Sequence, residues 1–322
     1  WNIDLTSGYE HAYFKNSSLA RKSGFFKFIN WGIIRRILVT DYDFIYIHGV
    51  GYFTHVMGLI AGRLTGKKII LRNISYNLDA TSGRKRWLKK LFYIPLYKLP
   101  SYCIYIGKHN HDYYKEYKVP DRKLVHILHI IDNEFFRHQR QQLAGSIAAI
   151  KQSFGFRPDD KVILFCGKLF HKKQPLLLLE AFKQANTPPE WKLLFVGTGE
   201  DEQQLRKEAA ATGKEIAFAG FMNQSEIARA YSIADVLTLP SKFGETWGLV
   251  VNEALNFDCA ILVSNKVGCA PELVENKTGL VVPYNSLPEL TNAIEQLTNN
   301  DDQRKQFQLR AAAVIQECSI EN

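Results

Sequence analysis

The feature that most limits the fold of this 322-residue chain is a series of six short apolar runs between residues 161 and 283, separated by stretches of helical pattern. The runs are KVILFCG (161–167), WKLLFVGTG (191–199), EIAFAGF (215–221), DVLTLPS (235–241), CAILVS (259–264) and TGLVVP (278–283), with segments such as LLLLEAFKQA and EDEQQLRKEAAA between them. Strands that are apolar along their whole length, rather than at alternate positions, are buried on both faces. That requires a parallel sheet with helices on each side. The back half is therefore expected to be a doubly wound α/β domain.

The front half repeats the pattern less regularly. DFIYIHG (43–49), KKIILRN (67–73), YCIYIG (102–107) and KLVHILH (123–129) read as strands, with helices between them. Length also favours two domains, because one hydrophobic core stops growing near ~250 to 300 residues. The stretch 138–158 separates the two series, which puts the domains at 1–145 and 146–322. Two such Rossmann-like domains are expected to face each other across a cleft at the carboxyl ends of their strands, where open α/β sheets take ligands.

The net charge of +9 is uneven: residues 1–140 carry 23 Lys and Arg against 10 Asp and Glu, and residues 141–322 carry 18 against 22. The densest part is 84–98, RKRWLKKLFYIPLYK, where cations interleave with Trp87, Leu88, Leu91, Phe92, Tyr93 and Ile94. Such a segment can lie on an anionic membrane surface with its aromatic face down. It can equally be a solvated helix that packs its apolar stripe on its own domain. No RNA-recognition signature or zinc finger accompanies it, so nucleic acid is not an expected partner. No apolar run reaches about 18 residues, and WNIDLTSGYEHAYFK lacks the order of a signal peptide. The five cysteines are odd in number and widely spaced, which reads as free thiols in a reducing, cytoplasmic compartment.

Three strand ends carry candidate chemistry. Gly167 and Lys168, then Lys172 and Lys173 before a helix near Pro175, offer cations and backbone N–H groups to a phosphate, or form a solvated lysine loop. VGTGED (196–201) suggests a dinucleotide fingerprint, but Glu202 stands where its third glycine belongs, and Glu200 and Asp201 occupy the place of the pyrophosphate. Gly197 and Gly199 are expected to make a tight turn instead. In PSKFGETWGLVVNEAL (240–255) a helix is expected from about Thr246, with Glu245 at its N-cap and Glu253 two turns further in. Eight residues on a 3.6-residue helix rotate by ~80°, so the two acids have separate jobs. Glu253 can accept two hydrogen bonds from a vicinal diol such as a ribose, or be an ordinary helix residue. Asp41-Tyr42-Asp43 spells a metal-binding D-x-D but precedes a strand, and is expected to cap its entry; no metal set is expected. His48, at a strand end, is either a cleft residue or a structural one.

PSKFGETWGLVVNEAL, followed by VSNKVGCAPELVENKTGLVVP, resembles the glycosyltransferase group 1 family, the retaining sugar-nucleotide transferases of the GT-B fold. The likeness runs through Glu245 and Glu253, the G-x-x-E segment from Gly268, and Thr278-Gly279-Leu280; GKLFHKKQPLLLLEAF is similar to the family's G-R/K-L-x-x-x-K segment. It implies a nucleotide-diphospho-sugar of UDP or GDP type as donor, with no separate cofactor. Gly167, Phe221, Met222, Thr246, Trp247, Gly248 and Glu253 would bind it, and Lys168 and Lys173 would meet its diphosphate. Glu245 would orient the sugar, and His48 would serve the acceptor side.

Asn256-Phe257-Asp258-Cys259-Ala260 departs from the family's A-x-G-x-P, and Arg72, Asn73 and Ile74 stand where many members have a His. The family's first strand and Gly-rich loop, and its final crossing helix, are not found at the two ends, so a truncated sequence is expected. The implied reaction moves a hexose, with retention, to a saccharide or lipid-linked acceptor in cell-envelope polysaccharide synthesis. A sugar-nucleotide epimerase of the same fold and a non-catalytic nucleotide-sugar-binding remnant are the alternatives.

Overall fold

The structure is a computed structural model that describes residues 8–19, 24–76 and 83–319. The two chain ends at issue above, 1–7 and 320–322, lie outside the described residues. The chain forms two compact units, Trp1–Leu128 and His129–Asn322.

The first unit holds a four-stranded parallel sheet of β1 (Phe44–His48), β2 (Lys68–Arg72), β3 (Tyr102–Tyr105) and β4 (Leu124–His126), in that spatial order. Because each strand lies beside the one before it, right-handed crossovers bring the connecting helices to one face. Ile47, Ile69, Leu71 and Cys103 are buried there with Leu59, Tyr97, Tyr113 and Tyr114 from those helices. The opposite face keeps Phe44, Tyr46, Tyr102 and Val125 exposed. Only one direction of winding is therefore present among the described residues.

The second unit holds six parallel strands: β5 (Lys161–Cys166), β6 (Trp191–Val196), β7 (Ile216–Gly220), β8 (Val236–Leu239), β9 (Ala260–Ser264) and β10 (Gly279–Val282). Their order is β10-β9-β8-β5-β6-β7, so the chain winds outward from β5 to one side and then returns to build from β8 on the other. The apolar runs of β5, β6, β8 and β9 are central strands covered on both faces, with β6, β8 and β9 buried throughout, whereas β7 and β10 form the two edges and are only partly buried. Lys192 is the polar exception within β6, and it is paired with Asp160 and Glu215 at the strand's start.

The boundary falls at 128/129 and not at 145/146. The helix Asn133–Leu143 belongs to the second unit because its side chains are satisfied there. Asn133 donates to the carbonyls of Ile315 and Cys318, Phe136 packs edge-on against Phe257, and Arg140 pairs with Asp258.

Candidate active site

The winding of the second sheet reverses between β5 and β8, and this is where open α/β sheets leave a crevice at the carboxyl ends of their strands. The two segments singled out in the sequence leave from these adjacent strands. After β5 the chain passes Gly167 and a single turn at His171–Lys173, then takes a left-handed step at Gln174 (φ 55°) that starts the helix Pro175–Gln184. After β8 it passes Ser241 and Lys242. The Lys242 N–H donates to the Lys172 carbonyl at 2.8 Å, which ties the two loops together. Across that tie the Lys173 ammonium and the Glu245 carboxylate form an ion pair, both side chains being mostly buried.

Burial, with Lys172 close by, pushes the Lys173 ammonium down to about 8. The carboxylate in contact with it acts the other way and holds the proton on. A cation thus stands just ahead of a helix N-terminus with its charge only partly screened by water, paired with a mostly buried acid.

The loop carrying Glu245 is fixed from the other side by the Val267–Cys269 segment. Glu245 and Val267 form a parallel bridge, the Gly268 N–H donates to the Glu245 carbonyl at 2.9 Å, and the Cys269 N–H donates to the Trp247 carbonyl at 2.9 Å. A Cβ on residue 268 would stand 1.9 Å from the Thr246 carbonyl oxygen, so only glycine admits this approach. The helix that follows is Leu249–Leu255, seven residues capped by Gly248 at φ 101°. Glu245 is therefore a loop residue ahead of the helix and not its N-cap, a correction forced by the left-handed turn at Gly248. Thr246 is half-buried beside it.

Trp247 lies inside the unit. Its indole is buried, and Nε1 donates to the Asn252 side-chain oxygen at 2.8 Å, while the Asn252 amide donates to the His129 carbonyl. The indole N–H is thus used inside the unit, where Trp247 supports the loop. The departure at 256–260 also has a structural account. Asp258 takes the left-handed conformation (φ 56°) at the family's glycine position, which a short polar residue tolerates, and it pairs with Arg140; Asn256 donates to Asn133.

Glu253 projects from the middle of the short helix. Its Oε2 accepts from the Tyr231 hydroxyl at 2.6 Å, and that hydroxyl lies 3.4 Å from Cys166 Sγ at the end of β5. Burial raises the Glu253 carboxyl, and the Tyr231 hydrogen bond partly offsets the rise. Burial also pushes the Cys166 thiol up to about 12. Tyr231 went unnoticed in the sequence; its hydroxyl in the apolar stretch IARAYSIA is the one signal that pointed to it.

Gly197 and Gly199 do more than turn the chain. Cβ atoms there would lie 2.0 Å from the Gly167 carbonyl oxygen and 2.3 Å from that of Leu169, so the glycines let the loop after β6 press on the loop after β5. Lys168 is exposed on that loop, its Nζ 5.8 Å from the Phe170 ring centroid, and is not in the Lys173–Glu245 pair. Phe221 follows β7 with 74% of its surface exposed, beside a half-buried Met222. His48 ends β1 in the first unit, exposed and in register with Arg72. Asp41 and Tyr42 lie ahead of β1, paired with Lys67 and Arg36. Among the described residues no three His, Cys, Asp or Glu side chains gather as metal ligands.

The family model for glycosyl transferases group 1 matches residues 146–314, which is just over half of the chain. The chain belongs to this family. It is similar to a D-inositol 3-phosphate glycosyltransferase of Mycobacteroides abscessus, 29% identical over 160 residues that cover 48% of this chain and 35% of the relative. A phosphatidyl-myo-inositol mannosyltransferase of Mycobacterium leprae is 28% identical over 172 residues, covering 53% and 46%. The matched region spans less than half the length of these relatives. Among solved structures, Anabaena HepE in complex with UDP superimposes with a TM-score of 0.71 at 17% identity, over 89% of this chain and 77% of that one. WaaG, described as a glycosyltransferase involved in lipopolysaccharide biosynthesis, gives 0.59 at 15% identity, over 88% and 90%. These likenesses show the shared GT-B fold of paired α/β units.

Proposed function

We propose that the second unit binds a nucleotide-diphospho-sugar and that the chain transfers its hexose, with retention, to a hydroxyl of a saccharide or lipid-linked acceptor in cell-envelope polysaccharide synthesis. The observation that carries this is the contact of Lys173 with Glu245 at the reversal point of the sheet. Breaking the bond between the anomeric carbon and the diphosphate leaves negative charge on the phosphate and positive charge on the sugar. Lys173, the N-terminus of Pro175–Gln184 and Lys168 would stabilise the first, as preorganised charges and dipoles do without reorganising during the reaction. Glu245, released from Lys173 by the incoming diphosphate, would face the second. Glu253 would accept from the ribose diol, and Phe221 would meet the base. The name of the HepE complex, which contains UDP, supports a uridine or similar nucleotide.

The first unit supplies the surface for a membrane-borne acceptor. On the helix Gly83–Leu96, Tyr93 and Ile94 pack toward the core, while Trp87, Leu88, Leu91 and Phe92 are exposed. Phe92 meets Phe25, Phe25 meets Phe26 and Phe53, and Phe53 meets Trp31, so an aromatic surface adjoins the basic helix. Arg86 and Lys90 are paired with Glu116, which leaves Arg84, Lys85 and Lys89 as its exposed cations outside that cluster. Among the described residues no helix is long and apolar enough to cross a membrane.

The test is to incubate the protein with labelled UDP- and GDP-sugars and a pool of lipid-linked acceptors. Labelled lipid product supports the proposal; free epimer or retained donor without transfer overturns it. Loss of binding to anionic liposomes on neutralising Arg84, Lys85 and Lys89 supports the membrane surface, and unchanged binding removes it.

A further inference from the structure

We infer that Tyr231 is a positioning residue that fixes the Glu253 carboxylate for recognition of a ribose diol, through the hydrogen bond from its hydroxyl to Oε2. The inference rests on the donor site proposed above and deepens it. Tyr231 comes from the helix Ile227–Ser232, 22 residues before Glu253 and on a different element, so nothing local in the sequence requires the two to meet.

Three observations give the contact a direction. The Tyr231 side chain is fully buried and its ring packs on Phe257 with centroids 5.7 Å apart, which leaves the hydroxyl no freedom to swing away. A hydroxyl has one proton, and an ionised carboxylate at 2.6 Å is a stronger acceptor than a thiol sulfur at 3.4 Å. The proton therefore goes to Glu253, and the Cys166 S–H is left to donate to the Tyr231 oxygen. Finally, Glu253 Oε1 makes no hydrogen bond to protein among the described residues. A carboxylate with one oxygen anchored and the other open is restricted in its rotation. It offers Oε1 and the remaining lone pair of Oε2 in one plane, which suits two adjacent hydroxyls.

The same arrangement sets when the site works. A diol donates to a carboxylate, so Glu253 must be ionised to bind it. Burial opposes ionisation and the Tyr231 hydrogen bond favours it. The titratable groups facing Glu253 are Tyr231 and Cys166, both raised by burial; Lys173, already engaged by Glu245, acts on Cys166 from the loop after β5. Tyr231 is thus the contact that favours the charged form of Glu253.

The experiment is a titration of UDP, GDP and their 2′-deoxy analogues into wild-type protein, Tyr231→Phe and Glu253→Gln from pH 5 to 9. For Tyr231→Phe, affinity for the better ribonucleotide should fall about tenfold at neutral pH, as expected for losing one charge-assisted hydrogen bond, and should recover as pH rises. Its loss of affinity on acidification should begin at higher pH than in wild type. A structural defect would give no recovery. The inference is overturned if Tyr231→Phe has the wild-type pH profile while Glu253→Gln weakens binding and no longer prefers ribose over deoxyribose. If Glu253→Gln itself binds like wild type, the failure lies with the diol assignment. Should Tyr231→Phe not fold, 3-fluorotyrosine at this position, a stronger donor, should move the acid limb to lower pH; an unmoved limb overturns the inference equally.

Discussion

Replacing Gly268 by alanine is expected to disable the site by displacing backbone, without removing any side chain proposed to meet substrate. The added Cβ would lie 1.9 Å from the Thr246 carbonyl oxygen, 2.4 Å from the Thr246 carbonyl carbon and 2.9 Å from the Trp247 nitrogen. Ordinary contact begins at 3.4 Å, so the 245–247 loop and the 267–269 segment must part by about 1.5 Å. All three obstructing atoms are backbone, which cannot move aside as a side-chain tip can. The parting stretches the two hydrogen bonds that join these segments, each worth ~1 kcal/mol, and adds overpacking of ~1 to 3 kcal/mol. A total near 3 to 5 kcal/mol corresponds to a Tm lower by roughly 6 to 20 °C in a unit of this size. Glu245 moves with the loop and separates from Lys173; a shift of about 1 Å at a reacting group costs on the order of 100-fold in rate. Thermal unfolding and sugar transfer from a saturating donor measure the two effects. Gly213→Ala is the control, because that glycine has φ 69° but nothing within 4 Å of its Cβ position, so it reports backbone strain without collision. If Gly268→Ala unfolds and transfers like wild type, the contact between the two segments does not hold Glu245.

Glu245→Gln leaves Lys173 buried without its counter-ion, and burial lowers that ammonium toward about 8. Binding of a nucleoside diphosphate needs the charged form, so affinity measured by calorimetry should be retained at pH 6 and fall as pH rises through about 8. Glu253→Gln should raise the Tm at pH 7 to 8 while weakening nucleotide binding. The folded-state pKa of Glu253 is raised, so the native protein holds its proton more tightly than the unfolded chain, and stability falls as pH rises through the folded pKa. Glutamine removes that loss, and the gain in Tm should vanish near pH 4. Trp247→Phe strips the donor from the buried Asn252 oxygen and should cost ~1 to 3 kcal/mol in denaturant unfolding, with UDP affinity unchanged in the folded fraction.

The parts of the fold that were legible in the sequence are those governed by short-range pattern. Continuous apolar runs identified the central strands of the second unit, and the spacing of Lys173 from β5 and of Glu245 from β8 brought the two charges to neighbouring strand ends. Contacts between segments far apart in the chain were not legible. Nothing in the local sequence of Trp247 shows that its N–H turns inward to Asn252 on the helix Leu249–Leu255. The start of that helix was misplaced because Gly248 adopts a left-handed conformation that glycine permits but does not announce. The unit boundary shifted because Asn133 is satisfied by carbonyls 182 and 185 residues later. Tyr231 escaped notice because a tyrosine in an apolar helix is ordinarily core, and its role depends on the carboxylate it meets.

The one-directional winding of the first unit has a practical consequence. Among the described residues, one face of the parallel sheet keeps Phe44 and Tyr46 on β1 about half exposed, with Tyr102 on β3 and Val125 on β4 also exposed, which presents water with a greasy surface. A preparation of this chain is expected to self-associate reversibly as concentration rises, even with its native structure intact. Light scattering that grows with protein concentration and falls on adding a mild nonionic detergent would reveal it, and any rate measured in that regime would reflect the fraction left monomeric.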